Sequence, residues 1–515
     1  MENKTFTEKT KVPATVTVRA FGKTFTAERG ITLSEAINGE RPCGGHGKCG
    51  KCKVRVCGSV SKISDTELKI LSAEEIASGV RLACLTTVEG ECEVLSLKAC
   101  ESAEILTAGD LPPFETDPIF SNLGVAIDIG TTTLAARLYD KDARLLAEAS
   151  MLNPQSEWGA DVISRIENAL GGKADDLATS IRGALDLLID ELIKNAGVTA
   201  ELIDGAVITG NTVMLSLLTK ESTEPLSRAP FEAKRLFGEI LNPEIIELNS
   251  LKKNTIIYIP PCIHAFVGAD TTCAVLANRL TSFTDPVMLI DVGTNGEMAL
   301  WQGSRLTVCS TAAGPAFEGV GISMGMRGSR GAIDKVYVKD GAFHTHVIGE
   351  VAPVGICGSA LVDAAACMLD EEILDEGGYL EDDVFTVSPP VTLNQKDIRM
   401  LQLAKSAICA GILSLLCHTS LSQCDVKTLF IAGGFGNYLN LENAAKIGLI
   451  PKKLVGVSKI AGNSALVGAS MLLLRREFIE ECEALVNHAA VLDLTTDKAF
   501  SDLYVSGMEL SEIEQ

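Results

Sequence analysis

Apolar and polar positions along this chain follow three different patterns. Residues 13–20, Pro-Ala-Thr-Val-Thr-Val-Arg-Ala, alternate apolar with polar, the period-two signature of a strand with one buried face. Phe21-Gly22-Lys23 predicts a turn and Thr24–Glu28 a returning strand, hence a hairpin. Ile31–Asn38 predicts a short helix opening at Thr32 or Ser34. Strands are expected again over Lys53–Val60, ending in a Cys-Gly-Ser turn, and over Glu91–Leu97. Residues 1–97 therefore form a small α+β domain. From 98 to 122 periodicity disappears into prolines and acids (Glu101-Ser102-Ala103-Glu104, then Leu111–Pro118), which is linker chemistry. Beyond it, short apolar runs end in an acid or a glycine and alternate with helical patterns. Asp175–Asn195 predicts a long amphipathic helix through Leu177, Ile181, Leu185, Leu188 and Leu192. Phe266–Thr272 and Gly355–Ala360 each start a helix, Ser464–Arg475 is a last helix, and the acidic tail Glu509–Gln515 is expected to fray.

Composition narrows the class. A chain of 515 residues suggests two to four domains, and 46% hydrophobic with 22% charged residues supplies ample core. The net charge of −22 argues against nucleic acid, whose phosphates need a basic face, and against an anionic membrane surface. Met1–Thr5 has no apolar segment, so no secretory signal is expected. With no uninterrupted apolar run of about eighteen residues, no membrane span is expected either. Sixteen cysteines without a signal do not read as a disulfide framework. They fit a reducing, anaerobic cytoplasm.

The densest chemistry lies in Pro42–Cys52, Pro-Cys-Gly-Gly-His-Gly-Lys-Cys-Gly-Lys-Cys. Cys43, Cys49 and Cys52 follow C-x5-C-x2-C, and Cys84 lies further on in Arg81-Leu82-Ala83-Cys84-Leu85. Three clustered cysteines and one distant one suit a 2Fe–2S cluster. The glycines allow positive φ and aim backbone N–H groups at the sulfurs. Zinc competes through the Cys49-x2-Cys52 spacing, but a zinc site pairs two such units and no second follows. Cys57 and Cys92 are alternatives to Cys84, and His46 is a Rieske-type alternative, otherwise a solvent-facing loop residue. The order of hairpin, helix, cluster loop and strands resembles the β-grasp fold of 2Fe–2S ferredoxins. The spacing looks more like the adrenodoxin-type branch than the plant type.

A second motif occurs twice. Gly124-Val-Ala-Ile-Asp128-Ile-Gly130-Thr131-Thr132-Thr133-Leu134 is matched by Val287-Met-Leu-Ile-Asp291-Val-Gly293-Thr294-Asn295-Gly296-Glu297. One such stretch is an ordinary hairpin; two at domain-length spacing point to phosphate. Gly130 and Gly293 let the backbone approach a phosphate, and Thr131, Thr132, Thr294 and Asn295 add hydroxyl and amide donors. Asp128 and Asp291, at the strand ends, can hold Mg2+ or its waters. No Walker A sequence is present. Paired phosphate hairpins resemble the superfamily of actin, sugar kinases and heat-shock chaperone ATPases, in which two ribonuclease-H-like lobes close over a nucleotide. The resemblance extends to Leu429–Asn437, an apolar strand into Gly433-Gly434-Phe435-Gly436-Asn437, which looks like that superfamily's adenosine motif. It implies lobes over residues 123–285 and 286–515, with a C-terminal helix returning. Gly433, Gly434, Gly436 and Asn437 would then flank the nucleoside. Asp270 is either a helix-N-terminal carboxylate favoured by the dipole or the counterpart of the sugar-kinase acid that activates the attacking group. Asp270 or Glu297 would position water.

Together these modules resemble the reductive activators of corrinoid proteins, over nearly the whole chain. The likeness rests on Pro42–Cys52, Arg81–Cys84, Asn153-Pro154-Gln155, Gly159–Ile166, Asp291–Glu297, Ala313–Gly319 and Ala432–Asn437. It implies an ATP-dependent reductase that passes an electron from a 2Fe–2S cluster held by Cys43, Cys49, Cys52 and Cys84 to the Co(II) corrinoid of a partner methyltransferase or corrinoid protein. An external low-potential donor would supply the electron, and ATP and Mg2+ would be the other cofactors. Members of the family carry a small additional domain before the ATPase, used in dimerisation; here about 25 residues, 98–122, separate the modules, which bears on whether a homodimer forms. Two alternatives remain. A 2-hydroxyacyl-CoA dehydratase activator would lack the ferredoxin domain, and a nucleotide-gated redox sensor would bind ATP without turnover.

Overall fold

The computed structural model describes residues 15–20, 23–37, 45, 47, 50, 52–71, 75, 76, 79–97 and 109–513. It comprises two compact units, residues 1–101 and 102–515.

In the first unit, β1 (Thr15–Ala20), β2 (Lys23–Glu28), β3 (Lys53–Val60), β4 (Val80–Leu82) and β5 (Val88–Leu97) form a five-stranded sheet in the order β2-β1-β5-β3-β4. β1 and β5 run parallel and the other pairs antiparallel. The expected hairpin and the strand over Lys53–Val60 are present. The helix expected over Ile31–Asn38 is described as one turn, Leu33–Ala36, closed by a capping box between Thr32 and Glu35. A second helix, Asp65–Ile70, opens with the box Ser64–Glu67, a start signal the hydrophobic pattern did not reveal. Val18, Leu33, Leu82 and Val88 are fully enclosed in the core between sheet and helices.

The second unit contains two sheets of the same design. The first sheet comprises β6 (Leu123–Ile129), β7 (Thr133–Asp140), β8 (Leu145–Leu152), β9 (Ile203–Gly210), β10 (Glu239–Leu241) and β11 (Ile256–Ile259), in the order β10-β11-β9-β6-β7-β8. The second comprises β12 (Val287–Val292), β13 (Gly296–Trp301) and β14 (Leu306–Thr311), with β20 (Thr428–Ala432), β21 (Ser458–Gly462) and β22 (Ala490–Val491), in the order β21-β20-β12-β13-β14-β22. Between β14 and β20 in sequence come the small ribbons β15 (Ala332–Lys339), β16 (Ala342–Val347), β17 (Gly355–Ile356), β18 (Val384–Ser388) and β19 (Val391–Asn394). In each six-stranded sheet an antiparallel meander is flanked by parallel strands on the side of its first strand. This duplicated mixed α/β arrangement is the actin- and sugar-kinase-like ATPase fold that the paired motif implied.

Strand parity decides where the acids point. On β6, Val125, Ile127 and Ile129 enter one core, whereas Ala126 faces another built with helix Ser464–Leu474. Successive side chains of a strand alternate between faces, so Asp128 shares the face of Ala126. On β12, Met288, Ile290 and Val292 enter one core, while Val287 and Leu289 join Ala274 and Val275 of helix Ala269–Ala277. Asp291 lies on that second face. Helices Ala269–Ala277 and Ser464–Leu474 cross closely: a Cβ on Gly468 would meet the Cys273 carbonyl oxygen at 2.0 Å. The last-named helix comes late in the chain, yet it packs on β6 and β9 of the first sheet.

Three expectations need correction. Residues 109–122 have no regular structure but are docked, not tethering: the Asp117 and Ile119 amides donate to Leu474 and Leu473, and Phe120 is buried. Aromatic and aliphatic side chains in this stretch make it a core-forming strap despite its prolines. Helix Ser464–Leu474 is not the last, since Glu477–His488 and Lys498–Ser506 follow. The C-terminal segment is anchored as far as it is described, because buried Lys405 donates to the Glu509 carbonyl and Gln402 to that of Met508 at 2.8 Å. Lys405 and Gln402 lie on Gln395–His418, a 24-residue helix long and apolar enough to cross a membrane but mostly buried, as a core helix is.

Candidate functional site

In the first unit, two of the four predicted ligands are described. Cys52 and Cys84 are 7% and 5% exposed, with their sulfurs 3.1 Å apart. A disulfide would bring them to about 2.05 Å, so these are two unlinked thiols in one pocket. Gly47 and Gly50 have φ of 66° and 65°, a left-handed conformation that favours glycine. The Gly47 N–H bonds the Cys84 sulfur. The Cys52 thiol hydrogen bond, against the effect of burial and assisted by the Gly47 amide, lowers the Cys84 thiol to about 7. Close thiols, a ready thiolate and an amide on the sulfur fit an iron–sulfur cluster. Cys43, Cys49 and His46 lie outside the described residues. Of the alternatives to Cys84, Cys57 is exposed on β3, and Cys92 is buried on β5 in register with Gly58.

Glu67 is bonded to residues on both sides of Cys84, and sequence reasoning missed it. Its carboxylate accepts two 3.0 Å bonds from Arg81, one from the Leu82 amide at 3.0 Å and one from the Thr86 hydroxyl at 3.2 Å. Burial raises its pKa, but the Arg81 bonds and the Ser64 and Leu82 amides outweigh that and leave it at about 2. The capping-box signature at Ser64 was the available signal.

In the second unit the four predicted acids share one recess. Asp291 and Glu297 are direct cross-strand partners on β12 and β13. Asp128 accepts a 3.2 Å bond from the side-chain amide of Asn463, which caps helix Ser464–Leu474. Asp270, in the first turn of helix Ala269–Ala277, takes the Thr271 amide at 2.7 Å, so it is both a helix-end carboxylate and a member of the cluster. Burial raises all four, with Asp270 the leading charged neighbour of the other three: Asp128 and Asp291 to about 7, Asp270 to about 6, and Glu297 upward. A divalent cation would relieve this crowding; among the described residues no three acids are close enough to hold one together, so the arrangement suits Mg2+ bound through one or two carboxylates and its own waters.

The hairpin turns are firmly held. Gly130 N–H bonds the Thr133 carbonyl at 2.9 Å, and Gly293 N–H bonds that of Asn295 at 3.0 Å. Around the first turn, Asn153 donates to the Gly130 carbonyl at 2.9 Å, Asn211 to the Thr131 hydroxyl at 3.1 Å, and fully buried Arg165 to the Thr131 carbonyl at 2.5 Å. Asn153 and Arg165 lie in stretches the resemblance singled out, but without assigned roles. The Thr132 and Thr294 hydroxyls both donate to Glu318, another residue without an assigned role. The Asn295 side chain bonds Glu297. The glycine loop begins one strand away: Gly433 has φ 91°, and a Cβ there would lie 2.5 Å from Asp291 Oδ1. Only glycine tolerates both constraints. Gly434 has open space and Gly436 packs near Ile431, while the Asn437 side chain lies outside the described residues.

Comparison with known proteins agrees with the fold described above. Residues 16–89 match the 2Fe-2S iron-sulfur cluster binding domain, 123–282 the RACo middle region, and 285–515 the C-terminal domain of RACo, the ASKHA domain. The corrinoid activation enzyme RamQ of Eubacterium limosum is 34% identical over 451 residues, 80% of this chain and 75% of that protein. The [Co(II) methylated amine-specific corrinoid protein] reductase of Methanosarcina barkeri is 24% identical over 434 residues, 76% of this chain and 79% of that one. A solved structure titled reductive activator for corrinoid, iron-sulfur protein has a TM-score of 0.70 and 28% identity, covering 96% of this chain and 98% of that one.

Proposed function

Because this chain belongs to the family of reductive activators of corrinoid proteins, we propose that it delivers one electron at a time to the Co(II) corrinoid of a partner methyltransferase or corrinoid protein. The product is the Co(I) state, and the delivery depends on ATP hydrolysis. The observation that carries this reading is the union, in one chain, of an amide-lined thiol pair and a duplicated-hairpin recess with four acids. Cys43, Cys49, Cys52 and Cys84 would hold the 2Fe–2S cluster, which when bound supplies the single electron that an external low-potential donor replaces. Every 30 mV of unfavourable potential costs about 0.7 kcal/mol for one electron, half the two-electron value, so a strongly uphill transfer needs a second source of free energy.

The second unit supplies it. Asp128 and Asp291 would hold Mg2+, giving up the protons that their raised pKa values retain. Gly130, Thr131, Thr132, Gly293, Thr294 and Asn295 offer backbone and side-chain donors to the phosphates. Gly433, Gly434 and Gly436 leave room for the nucleoside, with Asn437 beside it. Asp270 or Glu297, both titrating above an ordinary carboxylate, would orient the attacking water and take its proton. Closure of the two sheets over nucleotide is the moving part that would alter the complex with the corrinoid partner. The thiol-rich composition suits a reducing, anaerobic cytoplasm.

The test uses the full chain, reduced and cluster-loaded, with ATP and a cognate corrinoid protein in the Co(II) state. The Co(I) absorption should appear, ATP hydrolysis should rise with the corrinoid protein, and Cys49→Ala should abolish the spectral change. A Cys49→Ala variant that reduces cobalt as well as wild type would refute the electron path. Nucleotide binding without hydrolysis would favour a redox sensor.

A further inference from the structure

Glu318 reaches both phosphate hairpins at once. One carboxylate oxygen accepts the Thr132 hydroxyl from the β6–β7 turn, and the other accepts the Thr294 hydroxyl from the β12–β13 turn at 2.6 Å. The two threonines belong to different sheets, so this carboxylate links the halves of the unit. Each hydroxyl has a single hydrogen to donate. A phosphate oxygen and the Glu318 carboxylate therefore cannot both accept it.

The segment bearing Glu318 is packed against the core through buried Ala316 and Phe317. It is one short turn, Pro315–Glu318, between Gly314 and Gly319, whose φ values are 77° and 76°. The Gly314 amide is tied to the Thr294 carbonyl at 2.9 Å. Phe317 stacks on Phe435 of the glycine loop, centroids 4.5 Å apart and planes inclined by 19°. One turn thus touches both phosphate hairpins and the loop assigned to the nucleoside.

We infer that Glu318 is an internal phosphate surrogate: its carboxylate competes with a nucleotide phosphate for the Thr132 and Thr294 hydroxyls, and binding displaces it. This rests on reading the recess as a nucleotide site. It makes Glu318 a positioning residue whose loss strengthens binding, the reverse of what a phosphate-recruiting residue would do. Displacing a residue that occupies the donors lowers apparent affinity by the fraction of time they are free. Two bonds to a charged acceptor are worth enough for a factor of about ten.

The experiment is calorimetric titration of the cluster-loaded full chain with Mg2+ and a non-hydrolysable ATP analogue, and separately with adenosine. Glu318→Ala should bind the analogue about tenfold more tightly and adenosine as wild type does. Glu318→Asp keeps the charge but is a methylene too short to span both hydroxyls, so it should also bind the analogue more tightly. The inference is overturned if Glu318→Ala binds the analogue equally or more weakly, or if adenosine gains as much as the analogue. It is also overturned if Glu318→Asp matches wild type while Glu318→Ala gains, since general charge repulsion then explains the effect. If neither wild type nor Glu318→Ala binds the analogue, the nucleotide-site reading falls with it; if wild type binds and the variants gain nothing, that reading stands and only the surrogate role fails.

Discussion

Glu67→Gln tests whether a buried ion pair, rather than the cysteine motif alone, holds the cluster pocket together. The carboxylate is fully enclosed, and the Arg81 side chain that embraces it is 11% exposed. Its pKa falls from 4.5 to about 2 on folding, which at 1.36 kcal/mol per unit corresponds to about 3 kcal/mol of stability at neutral pH. Glutamine preserves the shape but turns a donor group toward Arg81 and leaves that cation buried without its counter-charge. Breaking such pairs from one side costs roughly 3–5 kcal/mol, in line with the linkage figure. For a domain of this size the melting temperature of the first unit should fall on the order of 15 °C. The assay is visible and far-ultraviolet circular dichroism of the cluster-loaded full chain during heating at pH 7. The sign with pH follows from the lowered folded pKa: the contribution is complete above about 4.5 and disappears as pH falls through about 2. Between pH 7 and pH 4 the gap between wild type and variant should narrow by about 1 kcal/mol. Replacing both Glu67 and Arg81 with methionine should recover part of the loss. If Glu67→Gln melts within about 3 °C of wild type at pH 7, the pair does not hold the pocket.

Two predictions concern the second unit. Asp128, Asp291, Asp270 and Glu297 all titrate above their unfolded values, so the folded state loses stability as pH rises from about 4 through about 7. Scanning calorimetry without Mg2+ should show its transition falling between pH 5.5 and 8, and Asp128→Asn should flatten that slope; a transition that rises with pH would contradict the crowding argument. Phe120→Ala should destabilise the same unit by about 3 kcal/mol, because Phe120 fills the space above Gly124 and Gly205. An unchanged denaturation midpoint would mean that residues 109–122 are a passive tether.

Local chemistry was readable from the sequence because its causes are local. Alternation foretold β1 and β2, helical spacing foretold Ala174–Ala196, and residue type in tight turns marked both Asp-x-Gly-Thr hairpins. The duplicated fold followed, because two similar hairpins with matching apolar strands admit few arrangements. Docking of 109–122 escaped notice because prolines hide a strap whose apolar residues are not periodic.

What only the tertiary structure decided is which distant residues share a site. Asn463 reaches Asp128 because a late helix packs on an early sheet; Glu67 meets Arg81 because a short helix lies over the strand that carries it. Glu318 meets Thr132 across 186 positions of chain because folding brings a turn that follows the second hairpin to the turn of the first. These contacts depend on sheet order and strand parity, which no local window contains. The same holds for acidity: Asp128 and Glu67 are both carboxylates in the sequence, and folding drives one to about 7 and the other to about 2. Burial acts on both; the difference is that Asp128 is surrounded by other acids and Glu67 by Arg81 and backbone amides.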